Sequence, residues 1–122
     1  MLSQRTISSQ LARVNKICAR YPELEVKSGQ HHTFLVRGKK FAYYLIDHHG
    51  DGRVSLQCKA EKGVNDALVA TDSTRFFRPP YMAHHGWMGL YLDTGPVDWG
   101  EIEALLDDAY RLAAPKKLAA MV

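Results

Sequence analysis

Apolar residues recur at helical spacing near both ends of the chain. Near the start they predict a first helix over roughly Ser3 to Arg20, before Pro22: Ile7, Leu11, Val14, Cys18 and Tyr21. Near the end, Asp98 followed three residues later by Glu101 is typical of a helix N-cap. The apolar stripe of this last helix runs up to Pro115: Ile102, Leu105, Leu106, Ala109 and Leu112. Both ends are therefore predicted to be amphipathic helices.

Between these helices the pattern changes to the alternation of β-strands. The predicted strands are His32–Val36, Phe41–Ile46, Arg53–Cys58 and Trp87–Leu92. The first three strands are separated by short turns and form a meander. Residues 23–30 and 72–86 are predicted to be irregular, and residues 64–71 are predicted to form a short helix. The predicted fold class is α+β, a two-layer sandwich with an antiparallel sheet of about four strands and the N- and C-terminal helices on one face.

The alternation also assigns the two faces of the sheet. The residues expected beneath the helices are Phe34, Tyr43, Val54 and Leu56. The opposite face is expected to be open and to carry Tyr44, Trp87 and Tyr91. An open face with aromatic side chains is a candidate surface for a protein, a small molecule or a second copy of the chain, so we expect a monomer or a homodimer.

The composition is that of a globular protein. With 122 residues and 46% hydrophobic residues, the chain is expected to form a single domain over residues 1–122. The sequence shows neither a membrane-spanning apolar run nor a secretion signal, so we expect a cytoplasmic protein without a membrane partner. Cys18 and Cys58 fall on apolar stripes, which predicts buried free thiols, with a disulfide between them as the alternative.

Charge is distributed unevenly along the chain. Residues 1–46 contain eight Lys and Arg against two acids, whereas residues 47–122 contain eight against eleven. The simpler interpretation is that a basic first helix and an acidic last helix face each other or water. The alternative interpretation is a surface that binds nucleic acid.

Several segments resemble the MmcQ/YjbR family: Gly38–Ala42, Val54–Lys59, Arg75–Tyr81, Gly86–Gly89 and Ala109–Lys117. The resemblance covers nearly the whole chain. It implies a fold like that of bacterial frataxin and a DNA-binding role through a double-wing arrangement. It supplies no set of catalytic residues.

A basic hairpin is the candidate contact with DNA. Because successive hairpins of a meander point to opposite ends of the sheet, the first turn shares an end with the residues that follow the third strand. The candidate DNA-contacting residues are Arg37, Lys39, Lys40, Lys59, Lys62 and, if the fourth strand lies beside the third, Arg78. Such side chains contact phosphates and read little sequence. The alternative is a solvated edge whose lysines discourage pairing with other strands.

Three pairs of adjacent histidines are the remaining unusual feature: His31-His32, His48-His49 and His84-His85. The first two pairs are expected to meet at one end of the sheet, which makes His32, His48 and His49 weak candidates for metal ligands. Surface histidines that titrate near neutral pH are the alternative.

Motifs of enzymes are lacking in the sequence. It contains neither a Gly-x-Ser-x-Gly elbow, nor a phosphate-binding glycine loop, nor a Cys-x-x-Cys pair. We therefore expect a non-enzymatic binding domain without a cofactor. Double-stranded DNA is the expected partner, and a protein or small molecule on the open sheet face is the alternative.

Overall fold

The computed structural model describes residues 1–29 and 31–122, and its first element is the helix α1 (Gln4–Cys18). The helix begins where the Ser3 hydroxyl accepts a hydrogen bond from the Thr6 N–H at 3.1 Å, which satisfies one of the free amides of the first turn. Its apolar side packs into the core through Ile7, Val14 and Ile17. The predicted first helix is confirmed to within two residues at each end.

A six-stranded antiparallel sheet follows, in the order β1-β2-β3-β4-β6-β5. Its strands are β1 (Leu24–Lys27), β2 (His32–Val36), β3 (Lys39–Ile46), β4 (Val54–Cys58), β5 (Phe76–Phe77) and β6 (Met88–Tyr91). The remaining helices are α2 (Val64–Thr71), α3 (Trp99–Ala113) and α4 (Lys116–Ala119). The α+β class and the antiparallel sheet are confirmed, whereas the closer likeness to bacterial frataxin stays a prediction.

The expected count of about four strands is too low because both edge strands are short. The strand β1 has four residues, of which three are exposed, so it lacks a clear apolar alternation. It lies in the predicted loop 23–30, of which Gln30 is outside the described residues. The strand β5 has only two residues and lies in the predicted irregular stretch 72–86. Neither edge strand is long enough to show a period in the sequence.

The core lies between one face of the sheet and the helices. The Asp98 carboxylate caps α3 by accepting from the Glu101 N–H at 3.1 Å, and the buried Tyr110 donates to the Pro22 carbonyl at 2.7 Å. Cys18 and Cys58 are buried and free, as predicted. Within the described residues, no helix has both the length and the apolar character that a membrane span requires.

A β-bulge in β3 changes which side chains face the helices. Phe34 pairs with Ala42 and Leu35 with Lys40, so Phe41 is an extra residue on β3. Phe41 and Ala42 both belong to the core, and the alternation restarts from Ala42. Tyr44 is consequently buried beneath the helices, where its hydroxyl donates to Gln10 Oε1 at 3.2 Å.

The prediction for two residues of β3 is therefore wrong. Tyr43 was expected beneath the helices and Tyr44 on the open face, but their positions are reversed. The prediction continued a strict alternation from Phe41, and a bulge shifts that alternation by one residue. Phe34, Val54 and Leu56 lie beneath the helices as predicted.

Alanine substitutions at these two tyrosines test the register. We expect Tyr44→Ala to lower the free energy of unfolding by about 3–5 kcal/mol, because it removes a fully buried ring. Tyr43→Ala, on the opposite face, should lower it by about 1 kcal/mol. Urea denaturation of both variants measures the difference, and equal losses would contradict the bulge.

Candidate functional site

The open sheet face is built from one continuous row of paired residues across the strands. Thr33 pairs with Tyr43, which pairs with Gln57, and Gln57 pairs with Gly89, which pairs with Phe77. Directly opposite residues of an antiparallel sheet project to the same side. The row therefore places hydroxyl, phenol and amide groups side by side on the face that the helices leave open.

The segment between β5 and β6 folds against one part of this face. Trp87 is only 3% exposed, and its ring centroid lies 5.2 Å from that of Tyr43. Tyr81 is 83% exposed and has a backbone φ of 65°, in the left-handed region that tyrosine rarely adopts. The segment thus buries one aromatic ring against the sheet and holds another at the surface in a strained conformation.

Together, the sheet and this segment enclose a concavity of about 400 Å³. Its lining residues are His31, Thr33, Lys40, Tyr43, Leu45, His48, Gln57, Pro80, Tyr81 and Met82. The volume lies within the range of small-molecule sites, about 300–1,000 Å³. The lining includes a lysine and two histidines but no carboxylate, so its charge favours an anion.

His31 and His48 meet at one end of the concavity. Their ring centroids are 4.6 Å apart, edge to face, and the ring of His49 lies 3.9 Å from that of His48. The Nδ1 atoms of His31 and His48 are buried and have no hydrogen-bond partner among the described residues. Burial first, and then the charges of His49 and His31, lower the pKa of His48, against a smaller effect of Asp51. Both rings therefore line this end of the concavity, and the lowered pKa favours the neutral form of the His48 ring.

Lys40 reaches the concavity because of its position next to the bulge. The turn between β2 and β3 is formed by Arg37 and Gly38, with φ of 51° and 75°, as in a two-residue type I′ hairpin. Lys39 pairs with the core residue Val36, which places it on the helix side of the sheet, whereas Lys40 lies on the open side. Lys39 and Lys40 of the predicted basic hairpin thus lie on opposite faces of the sheet.

The structure brings the predicted DNA-contacting residues partly together. Lys59 lies beside the start of β3, since its N–H donates to the Phe41 carbonyl at 3.0 Å. Lys39, Lys40 and Lys62 are exposed, and Lys59 is half-buried. Arg37 and Arg78 are engaged with carboxylates: Arg37 contacts Glu23 through two bonds of 2.8 and 2.9 Å, and Arg78 contacts Asp66 at 2.8 Å. Four lysines of the set remain unpaired among the described residues.

Of the three residues predicted for the open face, only two lie on it. Tyr44 is in the core, and Tyr43 occupies the position expected for it. Trp87 is covered by its own segment. The ring of Tyr91 packs 4.4 Å from that of Phe77 and beneath the Arg53 guanidinium at 3.6 Å. Trp87 and Tyr91 are therefore packed residues of the face and offer little free surface.

The histidine pairs meet, but not as predicted. His32 pairs with Tyr44 on the helix side of the sheet, so His31 rather than His32 contacts His48. Across the described ranges, the structure groups no three His, Cys, Asp or Glu side chains as metal ligands. The suggested set of His32, His48 and His49 is thus not assembled as a metal site.

Sequence reasoning missed His31, Gln57 and Tyr81 as site residues. Gln57 lies in the predicted strand Arg53–Cys58, but nothing in its spacing marks it as part of a concavity. Tyr81 lies in the predicted irregular stretch 72–86, and a positive φ at a tyrosine has no signal in the sequence. The adjacent Pro79 and Pro80 were the only indication of an ordered turn there.

The pH dependence of stability tests the environment of His48. Its pKa is lowered below the ordinary value of about 6.5. As the pH falls from that value through the lowered one, the unfolded chain gains a proton that the folded chain does not, so stability decreases. We expect the decrease between about pH 7 and pH 5 to be smaller in His48→Gln than in the native protein. Urea denaturation at both pH values measures it, and an equal decrease in the two proteins would contradict the prediction.

Comparison with known proteins identifies the family. The family model described as YjbR matches residues 20–112. The crystal structure of Deinococcus radiodurans protein DR2400, a DUF419 domain, is similar with a TM-score of 0.72 and 16% identity, over 91% of this chain and 86% of that chain. At this identity the likeness shows the fold alone. No curated protein matches the sequence. The family match covers most of the chain and confirms the resemblance seen in the sequence: the chain belongs to the YjbR family.

Proposed function

We propose that this domain acts by binding, and that its site is the concavity on the open sheet face. The ligand is a small organic anion with a planar or apolar part. The observation that carries the proposal is the lining itself, which combines Lys40 with the side chains of His31 and His48 and contains no carboxylate.

The walls of the concavity support a ligand with an apolar part. Leu45, Pro80 and Met82 supply apolar surface, and the rings of Tyr43 and Tyr81 supply aromatic surface. On the sheet, Thr33 and Gln57 add groups that donate or accept hydrogen bonds. Small-molecule sites typically combine such apolar walls with a few polar groups that fix orientation.

Tyr81 supports a role for the rim of the concavity. Its ring is mostly exposed and contributes little to the core, yet its backbone has a strained positive φ. Such strain costs on the order of 1–3 kcal/mol and is found mainly at ligand sites and switches. Contact with a bound molecule would give the exposed ring a role that packing does not supply.

The cysteines support binding rather than catalysis. Burial is the main cause that raises the pKa of Cys18 and of Cys58 to about 12. At neutral pH both thiols are therefore protonated and enclosed, which makes them poor nucleophiles.

The packed state of Trp87 and Tyr91 favours a small ligand over a protein partner or a second copy of the chain, because it leaves little free apolar area.

Binding of double-stranded DNA is the second candidate function. It is favoured by Lys39, Lys40, Lys59 and Lys62, which have no carboxylate partner among the described residues. It also agrees with the double-wing role that the family resemblance implies. The arginines of the same end are ion-paired, and Lys39 and Lys40 face opposite sides, so the contact would be weak and sensitive to salt.

Two neighbouring lysines provide a matched test of the ligand site. We expect small aromatic carboxylates or phosphate monoesters, titrated in a panel, to shift the amide NMR signals of Tyr43, Gln57 and Met82. Lys40→Gln should weaken the best of them by about tenfold or more, because it removes a charged donor. Lys39→Gln, on the other face, should change the affinity by no more than about twofold. A panel that shifts no signal, or equal losses in both variants, would contradict the proposal.

A DNA site predicts a different result for the same two variants. Labelled duplex DNA should bind at low salt, and the slope of log affinity against log salt should become shallower by about 1 for each lysine removed. Lys39→Gln and Lys40→Gln should then have equal effects, because both contact phosphates. Fluorescence anisotropy at several salt concentrations measures the slopes. Absence of binding by the native protein at the lowest salt rules out this second candidate.

A further inference from the structure

A second concave surface lies on the helix side of the molecule, away from the open sheet face. It is a groove of about 660 Å³ between α1 and the loop that leads into α3. Its lining residues are Arg5, Thr6, Ser9, Gln10, Ala12, Arg13, Lys16, Gly95, Val97 and Trp99. Arg5, Arg13 and Lys16 recur along one side of α1, and the lining contains no carboxylate.

The arginines of this groove differ from the other arginines of the chain. Six of the eight arginines have a carboxylate oxygen within 3.1 Å: Arg20, Arg37, Arg53, Arg75, Arg78 and Arg111. Within the described part of the chain, Arg5 and Arg13 have no such partner. The protein thus neutralises its arginines elsewhere and leaves this pair available in one groove.

The guanidinium of Arg13 is also held in place. Its central carbon lies 5.3 Å from the ring centroid of Trp99, in the range of a cation–π contact. A guanidinium that lies over an aromatic ring can still donate its N–H groups to a second ligand. Asp98, the acid that adjoins Trp99, accepts from the Glu101 N–H as the helix cap and does not line the groove.

We propose that this groove binds a ligand that carries two or more linked phosphate groups. Arg5 and Arg13 are eight residues apart on α1, which is about 12 Å of helix rise, and Lys16 is about 4.5 Å further. A chain of phosphates matches cations spread along α1 in this way better than a single phosphate does. Arginine binds phosphate with paired hydrogen bonds, so the unpaired cations match a polyphosphate in charge and in geometry.

The chemistry is shared by two sources of linked phosphates. One source is a free polyphosphate, such as a nucleoside triphosphate, and the other is the backbone of a nucleic-acid strand. The groove and the concavity lie on opposite sides of the sheet and have no lining residue in common. The proposal therefore does not depend on the ligand of the concavity.

Calorimetric titration with inorganic tripolyphosphate at low salt tests the groove. We expect the native protein to bind it, and the double variant Arg5→Gln, Arg13→Gln to bind it at least about tenfold more weakly. The control is Lys116→Gln, Lys117→Gln, which removes the same charge from exposed positions of α4 and should stay within about twofold of the native affinity. Lys40→Gln should also bind as the native protein does, which separates this site from the concavity. Circular dichroism checks that each variant is folded.

Competition then separates the two sources. Displacement of tripolyphosphate by a nucleoside triphosphate, but not by a single-stranded oligonucleotide, assigns the groove to a free polyphosphate, and the reverse result assigns it to a nucleic-acid backbone. Equal affinities of the groove variant and its charge-matched control overturn the proposal. Failure of the native protein to bind tripolyphosphate at low salt overturns it as well.

Discussion

The bulge at Phe41 is the constraint on which both faces of the sheet depend. The extra residue allows Phe41 and Ala42 to face the core together, where Phe41 contacts the rings of Tyr21 and Tyr110. From that point onward every residue of β3 faces the side opposite to the one that strict alternation gives. Tyr44 therefore enters the core, while Tyr43 and Lys40, on either side of the bulge, reach the same open face. With the same sequence in strict alternation, Lys40 and Tyr43 would face opposite sides of the sheet.

The pairing of charges is the second constraint. Some Lys and Arg side chains contact a carboxylate, and the others have no such partner among the described residues. Most arginines are fixed by carboxylates, which reduces the positive field at the end of the sheet that carries Arg37 and Arg78. Although the chain has a net charge of +3, many of its basic side chains are therefore neutralised by a neighbouring carboxylate. Cations without partners are concentrated in the α1 groove and among the lysines near the first hairpin. This distribution is the basis of the two anion sites proposed above.

The sequence was sufficient to predict the long helices and strands, but not details that depend on a single residue. The helix from Asp98 and the strand around Leu56 have clear periods and capping residues, so their positions were predictable. The bulge at Phe41 was not, because both residues it turns inward are apolar and the pattern Phe-Ala-Tyr-Tyr fits either register. The edge strands were too short to show a period. Tyr81 could not be placed for a different reason, since its strained φ depends on the tertiary structure that surrounds it.

The two concave surfaces are connected through one buried pair of side chains. Gln10 lies in the α1 groove, and its amide donates to the Leu92 carbonyl at 2.8 Å while its oxygen accepts from Tyr44 at 3.2 Å. Tyr44 is the neighbour of Tyr43, whose ring forms a wall of the concavity on the other side of the sheet. The strand β3 thus contacts α1 through Tyr44 on one side of the sheet and contributes Tyr43 to the open face on the other side. Because buried hydrogen bonds of this kind fix the relative position of helix and sheet, both surfaces share one support formed by α1 and β3.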